Sequence, residues 1–200
     1  MMSPNVRGIA QRLMMAAAAI VLATSQAQAQ RAWYASLAPE VLGATGSGYA
    51  YFSLTDKLLS VSATWSGLSG TTADAHIHCC TAAPGTGTIG VAVGLAVPLG
   101  ATSGSYAAVF DLDLESSFFS SFVNGPGGGT VAGARAALFN GFDTGRAYLN
   151  IHSNIFPGGE IRGFVTTVPE PTSMVLLGVG LIALAVPVVR RRGFRPSSNG

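Results

Sequence analysis

The stretch "YLNIHSNIFPGGEIRG", Tyr148 to Gly163, decides the fold. Neighbours along a β-strand point to opposite faces of a sheet. In its first part Leu149 and Ile151 therefore oppose Tyr148, Asn150 and His152. In its last part, read on as "GGEIRGFV", Ile161 and Val165 oppose Glu160, Arg162 and Phe164. "SNIFPGG" between them is short and rich in Gly and Pro, so the two segments read as a hairpin. Each strand has an apolar side suited to a core and a polar side of hydrogen-bonding groups.

The same pattern occurs upstream in "DAHIHCC", Asp74 to Cys80. Ala75, Ile77 and Cys79 share one face, and Asp74, His76, His78 and Cys80 share the other. If this strand lies beside the hairpin, then His76, His78, Asn150, His152, Glu160 and Arg162 gather on one polar patch. In "LLSVSATW", Leu59, Val61, Ala63 and Trp65 fall on one side of a half-buried strand. "YAYFSL" (Tyr49 to Leu54), "TIGVAVGLAV" (Thr88 to Val97) and "YAAVFDLDL" (Tyr106 to Leu114) read as further strands, parted by turn material such as "SGLSGTT" and "APGTGT". "ESSFFSSFV" (Glu115 to Val123) has helix-like spacing of paired phenylalanines, and "VAGARAALFNGF" (Val131 to Phe142) reads as a helix. "NGPGGG" is a flexible link between these two. The predicted fold is mostly β: an antiparallel β-sandwich, immunoglobulin-like or superoxide-dismutase-like, with one or two short helices.

The two ends differ from this middle. Residues 1–29 combine Arg7 and Arg12, an apolar run from Leu13 to Thr24, and "AQA" before Gln30, which together read as a signal helix cleaved after Ala29 by signal peptidase. At the other end Pro169, Glu170 and Pro171 precede an apolar stretch of seventeen residues, Ser173 to Val189, and then Arg190, Arg191 and Arg192. Seventeen residues is the short limit for a bilayer-spanning helix, and the arginines would stay on the cytoplasmic side. This tripartite tail, residues 169–200, resembles the PEP-CTERM sorting signal of Gram-negative bacteria. The resemblance implies an exosortase as processing partner, a transient inner-membrane anchor, and delivery to the outer surface or extracellular matrix. A permanent single-span anchor is the alternative.

Residues 30–168 remain as one domain with five basic and eight acidic side chains, a net charge of −3. The whole chain carries +2, so its basic character lies in the two ends. No basic patch is left to recruit nucleic acid. The order "SGLSG", "AHIH", "YLNIHS", "PGGEIRG" resembles the CHRD (chordin-type) domain over Ala32 to about Val165. The resemblance implies a β-rich extracellular module with no established reaction. Its motif positions here are His76, His78, Asn150, His152, Gly158, Gly159, Glu160, Arg162 and Gly163.

Three chemistries are open to the patch. As a metal site, His76 and His78 have Cα atoms about 6.6 Å apart on one strand face, and His152 is a third ligand for copper or zinc. The "HIH" pair is similar to the paired ligands of copper/zinc superoxide dismutases, which need more histidines than this chain has. As a structural network, Glu160 accepts from Arg162 or a protonated histidine, and the row fixes strand register. A hydrolase would need a nucleophile beside a base, and no "GxSxG" is present. Cys79 and Cys80 are left as a vicinal disulfide, an intermolecular one, or two free thiols, with Cys79 inward and Cys80 outward. No CxxC pair supports thiol redox catalysis. The expected function is an exported, non-enzymatic surface module for an extracellular protein or polysaccharide, with no cofactor. A copper- or zinc-binding periplasmic or surface protein is the alternative.

Overall fold

The computed structural model describes residues 31–168. Nine strands and two helices are present among them. The strands are β1 (Arg31–Pro39), β2 (Ser47–Thr55), β3 (Leu58–Ser66), β4 (Thr72–His78), β5 (Val91–Gly94), β6 (Gly104–Asp111), β7 (Tyr148–Ser153), β8 (Ile161–Phe164) and β9 (Thr166–Thr167). The helices, α1 (Ser120–Asn124) and α2 (Val131–Asp143), lie in the β6–β7 connection. No helix among the described residues is long and apolar enough to cross a membrane. The signal helix expected at 1–29 and the membrane helix expected at 173–189 lie outside the described residues.

All strand pairs are antiparallel, and the strands run β5-β4-β7-β8-β1-β2-β3-β6 in one continuous sheet, with β9 beside β1. The expected sandwich of two separate sheets is therefore replaced by one sheet curled into a half-barrel. The reason is β1. Its residues Arg31–Leu37 pair with β2, while Ala38 and Pro39 pair with Arg162 and Ile161 of β8. One strand thus joins both halves through backbone hydrogen bonds. Gly163 is needed at this seam, because a Cβ there would meet the Ser36 carbonyl group at under 3.0 Å.

Strand β1 was not among the expected elements, though its inward residues Trp33, Ala35 and Leu37 are all buried and alternate with exposed Tyr34 and Ser36. The expected strand over 88–97 is shorter, limited to Val91–Gly94. The helix expected over 115–123 splits into a 3-10 turn at Glu115–Ser117 and α1. Helix α2 follows the expected segment and is capped by Thr130, whose side chain accepts from the Gly133 N–H at 3.0 Å. Its buried face, Ala134, Leu138 and Phe142, packs into the curl. There Trp33 meets Phe142 edge-on at 5.3 Å and stacks on Phe139 at 6.0 Å. The β2–β3 hairpin closes through Asp56 and Lys57, with Asp56 at φ 54°, a left-handed position that Asp tolerates.

Candidate functional site

Strands β4 and β7 lie side by side with His76 opposite Asn150, Asp74 opposite His152, and His78 opposite Tyr148. His152 is thus a diagonal neighbour of His76 on the same face. One ring nitrogen from each of His76, His78 and His152 lies within 4.8 Å of the others, close enough for a shared metal ion. His76 Nδ1 and His152 Nε2 are 3.1 Å apart. The second ring nitrogen of each histidine has its own acceptor. His76 Nε2 faces Asp74 Oδ2 at 3.1 Å, His78 Nδ1 faces the Ile89 carbonyl at 2.7 Å, and His152 Nδ1 faces the Pro157 carbonyl at 2.8 Å. Tyr148 stacks on His78 with centroids 4.7 Å apart, and Phe119 meets the edge of His76 at 6.0 Å.

These walls set the electrostatics. Burial pushes the His76 imidazole below its ordinary value, against the opposing pull of Asp74. Burial also pushes His78 down, against the hydrogen bond to Ile89. Both rings therefore favour the neutral form that binds metals.

The other expected patch members separate from the imidazoles. Asn150 is buried, and its amide donates to Glu40 Oε2 at 2.6 Å. Arg162 pairs with Glu40 at 3.2 Å, donates to the Gly87 carbonyl at 3.0 Å, and lies over the Tyr148 ring at 4.9 Å. The expected pairing of Glu160 with Arg162 or a histidine does not occur. Glu160 is fully buried and accepts instead from the backbone N–H groups of Ser69 and Gly70. The bend before β8 turns it out of the strand alternation. Gly159 there has φ 129°, and a Cβ on it would meet Asn150 and Glu40 at under 3.0 Å. Burial works to raise the Glu160 carboxyl, but hydrogen bonds from Ser153, Ser69 and Gly70 hold it below its ordinary value.

Glu40 is the residue that sequence reasoning missed. It directly follows β1, and its partner Asn150 is 110 positions away, so no local pattern marks it. Cys79 and Cys80 form a vicinal disulfide, one of the three states left open. Cys79 is buried and Cys80 half-buried.

A second surface is chemically distinct. The outer face of β1, β2, β3 and β6 carries Tyr34 and Ser36, then Tyr49, Tyr51 and Ser53, then Ser60, Ser62 and Thr64, then Ser105, Ala107 and Val109. The charged side chain in these rows is Asp111, at the far end of β6 opposite Leu58, where it pairs with Lys57 of the hairpin turn at 3.5 Å. Tyr34 and Tyr51 stand directly opposite each other, and Tyr49, Tyr51 and Tyr34 are 63%, 45% and 45% exposed. A shallow groove of about 490 Å³ runs beside Tyr49, lined by Ser36, Ser47, Thr64 and Ser66.

The chain matches the family model of the CHRD domain over residues 22–165 and that of the PEP-CTERM protein-sorting motif over residues 167–192. The first match begins inside the stretch read as an export signal. No curated protein and no solved structure matches the chain. PEP-CTERM motifs are processed by exosortase, which gives this chain a processing partner and marks it for export and cell-surface or membrane anchoring. The match over most of its length places the chain in the CHRD domain family, with a PEP-CTERM sorting motif following the domain.

Proposed function

We propose that this is an exported, non-enzymatic module that binds an uncharged extracellular polysaccharide at the outer surface or in the extracellular matrix. In this reading signal peptidase cuts after Ala29, residues 173–189 anchor the chain transiently in the inner membrane, and exosortase releases it there. The observation that carries the binding role is the tyrosine and hydroxyl face of β1, β2, β3 and β6, whose charged groups are confined to the Lys57–Asp111 pair at one end. Tyrosine rings offer apolar area at low entropic cost, and the hydroxyl rows offer donors and acceptors to a neutral polyol. Charged polymers would find no counter-charge beside the tyrosines, because Lys57 and Asp111 at the end of the face pair with each other.

The test is co-sedimentation of the exported protein with a panel of insoluble neutral and acidic polysaccharides. A neutral polymer is expected to retain the wild-type protein. The triple variant Tyr34→Ala, Tyr49→Ala, Tyr51→Ala is expected to lose at least about tenfold in affinity, ~1.4 kcal/mol. Equal retention of the variant, or retention by acidic polymers alone, would refute the proposed face. Cells lacking the exosortase are expected to keep the chain in the membrane fraction; unchanged release would remove the sorting step.

A further inference from the structure

Three imidazoles on one sheet face need a proton inventory. A carbonyl oxygen only accepts hydrogen bonds, so the ring nitrogen facing it must carry the proton. The Ile89 carbonyl therefore fixes the proton of neutral His78 on Nδ1, and the Pro157 carbonyl fixes that of His152 on Nδ1. The Asp74 carboxylate likewise accepts from His76 Nε2–H, which fixes that proton on Nε2. The remaining nitrogens are His76 Nδ1, His78 Nε2 and His152 Nε2, and in the neutral rings all three are bare.

Two of these bare nitrogens face each other at 3.1 Å, with no proton of either ring to share. The third, His78 Nε2, is buried and has no hydrogen-bond partner in the protein. Leaving it empty costs about 1–3 kcal/mol. Asn150 Oδ1 in the same patch is unpaired too, but His78 Nε2 belongs to a ring that clusters with two other imidazoles. Converging bare nitrogens call for a positive centre.

We propose that His76, His78 and His152 bind one transition-metal ion of the copper or zinc class. Neutral imidazole suits these ions, whereas calcium and magnesium require oxygen ligands. Ring nitrogens on one tetrahedral zinc lie about 3.3 Å apart, taking Zn–N of about 2.05 Å. The His76–His152 separation already matches, and the ligand nitrogens of all three rings lie within 4.8 Å of one another. Asp74 and the carbonyls of Ile89 and Pro157 serve as outer partners that fix tautomer and ring orientation. With three protein ligands, a fourth coordination position is left for a molecule from outside. This site lies on β4 and β7, away from the tyrosine face, and stands whether or not that face binds a polymer.

The test uses the full exported chain, stripped with chelator and titrated with copper(II) or zinc(II) alone by calorimetry. One ion per chain is expected. His78→Ala and His152→Ala should each weaken binding by about 100-fold or more. Asp74→Asn, at an exposed position that spares the core, should weaken it by about 10–100-fold. Thermal melts of the metal-free proteins separate loss of ligands from loss of fold: added metal should raise the wild-type Tm and leave the histidine variants unmoved. Copper(II) electron paramagnetic resonance should show nitrogen coupling in the wild type. Absence of stoichiometric binding, or undiminished affinity in both histidine variants and Asp74→Asn, would overturn the site.

Discussion

The two halves of the curled sheet use the same strand alternation to different ends. In the β2–β3–β6 half, Phe52, Leu59, Val61 and Trp65 fill the inside, while serines, threonines and tyrosines stay in water. Each outward group there finds partners in solvent and needs no designated contact. In the β4–β7–β8 half, Ile77, Leu149, Ile151 and Ile161 fill the inside just as completely, but Tyr148 and Asn150 on the opposite side are buried too. Polar groups on that covered face need designated partners; Glu40, Asp74, Ile89 and Pro157 supply most of them, leaving His78 Nε2 and Asn150 Oδ1 unpaired. Specific chemistry therefore concentrates in the half where the polar side is shut off from water.

The seam between the halves carries the largest expected effect. Trp33 is fully buried against Phe142, and its Nε1 donates to Asp143 Oδ1 at 3.0 Å. Trp33→Ala should cost about 4 kcal/mol in denaturant unfolding, the usual scale for a lost core aromatic. A cost below about 1 kcal/mol would mean the two halves fold without β1 between them. The covered half comes next. Glu160→Gln keeps the size but weakens two backbone-to-carboxylate bonds, for an expected loss of about 2 kcal/mol at pH 7. Because the folded carboxyl sits below the ordinary 4.5, wild-type Glu160 contributes fully above that pH. Its contribution disappears as pH falls through the lowered folded value. The gap in Tm between wild type and variant should therefore narrow in acid; a gap that widens would contradict the hydrogen-bonded carboxylate.

The sequence made some of this legible and hid the rest for physical reasons. Alternation in "DAHIHCC" and "YLNIHS" is readable because Ala75, Ile77, Leu149 and Ile151 are apolar and point inward, and the two segments pair in unbroken register from Asp74 to His78. "RAWYASLAP" alternates as well, but its importance comes from partners far along the chain in β2, β8 and β9, which no local window contains. That is why a sandwich was expected where one joined sheet exists. Glu160 departed from its expected direction because a glycine bend, not strand parity, aims it. The acceptors behind the histidines were unreadable for another reason: two of the three are backbone carbonyls, which every residue has.

The smallest effect is expected on the open half, and it decides how the polymer experiment is read. Tyr51 is 45% exposed and faces Tyr34 across the β1–β2 pair. Such a cross-strand aromatic pair contributes roughly 0.2–1 kcal/mol, and no buried polar group depends on the ring. Tyr51→Ser should therefore shift stability by only about 0.5 kcal/mol, measured by the same unfolding curves. At that size, loss of polymer retention in the triple tyrosine variant reports a lost contact rather than a lost fold. A cost above about 2 kcal/mol would instead make the outer tyrosines part of what holds β1 in place. The contrast between an open half and a covered half would then fail at its simplest point, since the solvent-facing row would be structural as well.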